Sequence, residues 1–227
     1  MKTFHYIACD SIKYVKEAEA SAKSFRLNTT DTKFILYTDL NIKSSNFDEI
    51  IKIPNLIPGG LTSKDWCEGK NYFKTKIDIL KNSPYELNVY SDGDIKPLVN
   101  VDQIFSLLEK FDLAVAHDSC RSSKWSDLLN IPLCYPDFNC GLIFYKKSST
   151  MEFFNEWSKN FEKYPQPHDQ PSFRKTAWDN PMKIATLPPE FNIRPKQFHY
   201  RQNPTIIHGR GENFLPEIKS YEKLHLI

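Results

Sequence analysis

Short apolar runs that end on an aspartate limit what this chain can fold into. Phe4 to Cys9 leads into Asp10, Lys33 to Thr38 leads into Asp39, and Leu87 to Tyr90 leads, past Ser91, into Asp92-Gly93-Asp94. Each run has the composition of a strand. Between the first two, Tyr14 to Leu27 places Val15, Ala18, Ala22 and Phe25 at spacings of three and four, the period of a helix. Strand, helix and strand in that order imply a right-handed crossover and parallel pairing. Ligands of such open sheets collect outside the carboxyl ends of the strands, so the acidic positions fall along one edge.

The remaining elements extend this pattern. Glu49 to Ile53 predicts a third strand, stopped by Pro54. Tyr72 to Lys81 predicts a helix with Phe73, Ile77 and Leu80 on one face, closed by Asn82-Ser83-Pro84. Val101 to Lys110 predicts another helix, and Asp112 to His117 and Cys140 to Lys146 predict strands. Thr150 to Tyr164 predicts a helix whose Met151, Phe154, Trp157 and Phe161 form a core stripe. A helix through Ala177 follows Asp169, and Lys183 to Leu187 and Thr205 to His208 are short strands. Asn55 to Gly69 reads as a loop able to cover a site. Ser119 to Asp137, with a helical turn at Ser126 to Ile131, is a long irregular stretch of the kind that serves function.

Charge and cysteine use exclude several classes. Thirty Lys and Arg residues against 28 Asp and Glu residues leave a formal charge of +2, so nothing global recruits nucleic acid. The five cysteines, Cys9, Cys67, Cys120, Cys134 and Cys140, show no Cys-x-x-Cys spacing, against both a disulfide framework and a structural zinc site. A reducing, cytoplasmic location is the expectation. The apolar start is too short for a signal peptide, and no stretch is long enough to span a membrane. At 227 residues the expectation is one α/β domain, with a nucleotide-binding half over about 1–97 and an acceptor-side half over about 98–227.

The acidic pair admits two readings. Two carboxylates flanking a glycine can turn toward one small hard cation and leave positions open for phosphate oxygens. Asp-Gly is equally a common turn dipeptide. Three further patterns follow in order: Phe138-Asn-Cys-Gly-Leu142, His168-Asp-Gln170 and Ile206-Ile-His-Gly-Arg-Gly211. With Ala8-Cys9-Asp10, the set resembles the GT-A-fold glycosyltransferases that use nucleotide-sugar donors. The likeness is nearest to the glycogenin-like and lipopolysaccharide galactosyltransferase-like retaining enzymes, and it covers most of the chain.

The resemblance implies a Rossmann-like mixed sheet with helices on both faces. It implies transfer of a hexose, from UDP in the first instance, to an acceptor hydroxyl with retention. Asp92, Asp94 and His208 match the ligands of manganese or magnesium; otherwise His208 is a satisfied histidine at a strand end. Ala8, Cys9, Asp10 and Tyr14 match positions that meet the nucleoside, although Asp10 also reads as a helix N-cap. Ser91 and Gly93 accompany the acidic pair. Lys76 matches a basic residue near the donor or is a solvated helix lysine.

Asn139 and Gly141 match the segment near the donor sugar, with a bulge glycine as the other reading. Asp169 and Gln170 match a pair near the reacting carbon, and Asp169 alternatively caps its helix. Related enzymes carry a lysine after the histidine to hold the diphosphate. Here Asn213 and Phe214 occupy that region, and Arg210 offers a planar fork suited to phosphate. Asn192 and Arg194 read as site-wall residues without an assigned role. The acceptor, whether glycan, lipid-linked sugar or protein, is left open. Competing readings are a sugar-1-phosphate nucleotidylyltransferase, disfavoured because Asp10 to Tyr14 contains no glycine, and a non-catalytic nucleotide-sugar-binding module.

Overall fold

Residues 1–54, 70–118, 130–164, 168–194 and 204–209 are described by a computed structural model. The elements run β1 (Lys2–Ile7), α1 (Ile12–Asn28), β2 (Thr32–Thr38), β3 (Glu49–Lys52), α2 (Lys70–Asn82), β4 (Leu87–Ser91) and β5 (Ile95–Pro97). They continue with α3 (Gln103–Leu107), β6 (Leu113–His117), β7 (Phe138–Lys146), α4 (Lys147–Lys163), α5 (Gln170–Asp179), β8 (Ile184–Leu187), a 3-10 turn (Pro189–Phe191) and β9 (Ile206–His208). Seven strands form one sheet in the order β3-β2-β1-β4-β7-β6-β8, and β5 pairs with β9 in a separate ribbon. β1 is parallel to β2 and β4, as the strand-helix-strand pattern predicts. β7 runs antiparallel to both β4 and β6, so the sheet is mixed.

Strand alternation sorts the core onto two faces. Phe4, Tyr6, Phe34 and Leu36 pack with Val15, Ala18, Ala22 and Phe25 of α1. Ile7, Ile35 and Tyr37 pack on the other face, where Ile77 and Leu80 of α2 and Phe153, Phe154 and Trp157 of α4 also lie. The helices therefore flank the sheet, one layer per face. The stripe of α4 differs from the expectation in one residue: Met151 is exposed, and Phe153 takes the inward place beside Phe154.

Several boundaries shift for local reasons. β1 ends at Ile7 because the chain turns out of the sheet at Asp10, whose φ is 72°. α1 is capped by Ser11, whose side chain accepts from the Lys13 N–H at 3.3 Å, so Asp10 is not its cap. α3 is only Gln103–Leu107, since the following turns bond to the third residue back, as in Leu108 N–H to Phe105 O at 3.1 Å. Asp169 occupies the position before α5 but makes no capping bond through its side chain. The Asn55–Gly69 loop, the 126–129 part of the expected helical turn and most of Ser119–Asp137 lie outside the described residues.

Candidate active site

The ribbon that carries the site was not apparent in the sequence. β5 begins immediately after Asp94, and its Ile95 pairs with His208 of β9. The Gly209 N–H donates to Asp94 O at 2.9 Å, with Gly209 at φ 141°, in the region that favours glycine. Helix α1 holds the ribbon from behind: Ser24 Oγ donates to Pro97 O at 2.9 Å, and Ser21 Oγ donates to Ile95 O. A segment more than a hundred residues later is thus registered, residue by residue, on the acidic pair.

Asp92, Asp94 and His208 converge. His208 Nε2 lies 3.7 Å from Asp92 Oδ2 and 3.5 Å from Asp94 Oδ1, and one ligand atom from each lies within 4.8 Å of the others. The ring's other nitrogen, Nδ1, is 2.9 Å from Asn192 Oδ1. A carbonyl oxygen only accepts, so Nδ1 carries the proton and Nε2 turns its lone pair toward the carboxylates. Burial holds the His208 imidazole below its usual range even though Asp94 and Asp92 pull upward, which keeps the ring neutral near pH 7. Asn192 is itself buried, held by its N–H to Pro189 O, while Ile193 bridges to Ile207.

The site opens from the carboxylate side. The Asp92 and Asp94 side chains are 34% and 31% exposed, against 7% for His208. Burial nevertheless pushes the Asp92 carboxyl above its usual range, against the pull of Lys76 and His208. A further feature fits a cation: Gly141, whose carbonyl accepts from the Asp92 N–H at 2.7 Å, forms the floor. A Cβ there would stand 2.5 Å from Asp92 Oδ2 and 2.5 Å from His208 Cε1. The donor set of two carboxylates and a neutral imidazole, over a floor that admits no side chain, suits a divalent metal.

Behind this cluster lies a buried ion pair. Lys76 Nζ of α2 is 2.7 Å from Asp169 Oδ2 and donates to Cys140 O at 2.5 Å. Burial disfavours its charge, but the carboxylates of Asp169 and Asp92 outweigh this and hold Lys76 above the usual lysine range. Lys76 is therefore neither solvated nor, at its ammonium, open to a ligand. Gln170 Nε2 donates to Asp118 Oδ2 at 2.6 Å, and Asn139 Nδ2 donates to the same oxygen at 3.2 Å. Asn139 Oδ1 in turn accepts from the Gly141 N–H at 3.0 Å, and Arg194 Nη1 is 3.8 Å from Asp118.

Asp118 was missed in the sequence reading. It follows β6 as Asp10 follows β1 and Asp92 follows β4, so the same strand-end signal marks it.

The other predicted residues are less central. Asp10 lies at the same sheet edge as Asp92, since β1 and β4 are adjacent and His5 pairs with Tyr90. Its N–H donates to Asp39 Oδ1 at 2.9 Å. The Ala8 and Cys9 side chains are buried, with the Cys9 thiol pushed up to about 12 by burial, which leaves their backbone as the part able to meet a ligand. Tyr14 packs partly against the α1 core. The Ser91 side chain is buried and donates to Asp92 O at 3.0 Å. Gly93 makes room for α1: a Cβ there would meet the Ala18 backbone nitrogen at 3.1 Å. Arg210 lies outside the described residues.

The nucleotide-diphospho-sugar transferase family model matches residues 88–213, more than half of the chain and the part holding the acidic pair, Gly141, Gln170 and His208. The chain belongs to this family. Among solved structures, it is similar to the galactosyltransferase LgtC determined with donor and acceptor sugar analogs (TM-score 0.61, 14% identity, 91% of this chain and 86% of that one). It is also similar to mouse xyloside xylosyltransferase 1 (TM-score 0.60, 12% identity, 93% and 98% covered). A third likeness is to the bifunctional glycosyltransferase WbbM (TM-score 0.60, 14% identity, 91% of this chain and 45% of that one). No curated protein sequence gives a significant match. The mixed seven-strand sheet with flanking helices is the GT-A fold, and the nucleotide-diphospho-sugar transferase is accordingly a glycosyltransferase. Among the described residues, no helix is long and apolar enough to cross a membrane.

Proposed function

We propose that this transferase is metal-dependent and moves a hexose from a UDP-sugar to an acceptor hydroxyl with retention of anomeric configuration. The observation that carries the reading is the convergence of Asp92, Asp94 and the lone-pair face of His208 over Gly141. These three side chains would hold manganese or magnesium. When bound, the cation supplies positive charge next to the diphosphate that departs.

The chain's own groups do the rest by position. Asp10 and the backbone of Ala8 and Cys9 sit at the sheet edge where the nucleoside would lie, with Tyr14 nearby on α1, and Arg210 follows the metal-side histidine with a fork suited to phosphate. Asn139 and Gly141 line the sugar side. At the reacting carbon, Gln170 carries no titratable group and Asp169 is tied to Lys76 at 2.7 Å. Retention rests on the likeness to the glycogenin-like and lipopolysaccharide galactosyltransferase-like retaining enzymes.

The test is a panel of nucleotide sugars assayed for nucleotide release with Mn2+, with Mg2+ and with EDTA, followed by NMR of the product linkage. The expected result is release from a UDP-hexose only with a divalent cation and a product with the donor's anomeric configuration. Equal release in EDTA would remove the metal, and an inverted product would remove retention.

A further inference from the structure

The two oxygens of Asp92 have different surroundings. Oδ2 faces the cluster, 3.7 Å from His208 Nε2 and at the spot where a Cβ on Gly141 would intrude. Oδ1 is bound from the other side, accepting from the Tyr90 hydroxyl at 2.7 Å. With its proton committed to Asp92, the Tyr90 oxygen is the acceptor for the Tyr72 hydroxyl, 3.2 Å away. Tyr72 and Lys76 stand four residues apart on α2 and so share a face. Lys76 Nζ lies 4.2 Å from the centre of the Tyr90 ring, on which it rests as a cation over an aromatic face. Tyr90 itself is fully buried.

We infer that Tyr72 and Tyr90 form a hydroxyl relay that positions Asp92, committing Oδ1 to Tyr90 so that Oδ2 alone faces the metal. Chains of hydrogen bonds strengthen one another away from water, and partners of metal-bound carboxylates fix the ligand's orientation. α2 thereby acts on the cation site without touching it. Through Lys76 the same helix also holds Asp169. This role rests on the metal reading above.

The test is Mn2+ binding to the full chain in the presence of UDP, followed by EPR of free Mn2+, for wild type and for Tyr90→Phe, Tyr72→Phe and Asp94→Asn. Tyr90→Phe keeps the ring beneath Lys76 and removes only the hydroxyl. Loss of a partner of this kind weakens metal binding about 10- to 100-fold, the shift expected for Tyr90→Phe, with a smaller one for Tyr72→Phe. Unchanged Mn2+ affinity in Tyr90→Phe, alongside lost binding in Asp94→Asn, would overturn the relay and leave the metal site standing. Wild-type Mn2+ affinity in Asp94→Asn would instead overturn the metal site, and the relay's role with it. If Tyr90→Phe melts substantially lower than wild type, Tyr72→Phe decides the question by the same comparison.

Discussion

Gly141 and His208 approach so closely that a methyl group on the first would stand 2.5 Å from Cε1 of the second, and as close to Asp92 Oδ2. Real carbon contacts do not reach that distance, so Gly141→Ala must displace Asp92 or His208. Misplacing a catalytic group by about 1 Å can cost roughly 100-fold in rate. Gly141→Ala should therefore lose about that much turnover and most of its stabilisation by UDP with Mn2+ in a thermal-shift assay. Wild-type values in both assays would mean that the floor under the cluster has no role in metal binding.

Lys76 and Asp169 form an ion pair in which both side chains are almost fully buried, 3% and 4% exposed. Removing one partner of such a pair leaves an uncompensated buried charge and typically costs about 3 to 5 kcal/mol. Lys76→Met should show a loss of that size in urea unfolding. Lys76→Met combined with Asp169→Leu should recover much of it, because the orphaned charge goes too, yet remain inactive. A double variant no more stable than the single one would argue against the pairing.

His5 makes stability depend on pH. Its ring is buried in β1 with Nε2 3.0 Å from Asn88 Oδ1 and Nδ1 3.3 Å from the Tyr37 hydroxyl, partners that satisfy the neutral form. Burial lowers its pKa to about 4, opposed by the bond to Asn88. The unfolded chain then binds a proton that the folded chain refuses, so this contribution is full above about pH 6.5 and is lost as pH falls toward 4. Between about pH 7 and pH 4.5 the loss from His5 should be about 2 to 3 kcal/mol. Urea unfolding at both values should show a shallower pH dependence in His5→Gln, and an identical dependence would remove His5 as its source.

The sheet was legible because β1, α1, β2 and β4 declare themselves locally, and the three strands run into the aspartates Asp10, Asp39 and Asp92 along one edge. The acidic pair could be found for the same reason. What brings His208 to it was not legible: Ile95 to Pro97 is too short to show a strand period, and its pairing with Ile206 to His208 is a long-range choice fixed by tertiary packing. Asn192, which sets the His208 tautomer, lies near in space and sixteen positions away in the chain. Lys76 illustrates a different limit. A lysine on a helix reads from sequence as solvated or, by the resemblance, as near the donor, and only the fold shows it buried against Asp169, 93 positions later.

Asp118 lies at the end of β6 and gathers two amides on one oxygen, Gln170 at 2.6 Å and Asn139 at 3.2 Å. Committing Gln170 Nε2 to that carboxylate fixes the carboxamide's rotation, and under the proposed function Oε1 is the atom that would face the sugar. An amide at position 118 could present a donor instead, and Gln170 would be free to turn over. Asp118→Asn should therefore lower kcat by about tenfold, the scale of a group misoriented rather than lost, while UDP with Mn2+ stabilises the variant as it does wild type. If Asp118 acts through Gln170, the two changes are not additive: in a Gln170→Ala background, Asp118→Asn should cost little more. Steady-state kinetics on the four proteins would decide it, and full additivity would show that Asp118 serves the reaction by some route other than Gln170.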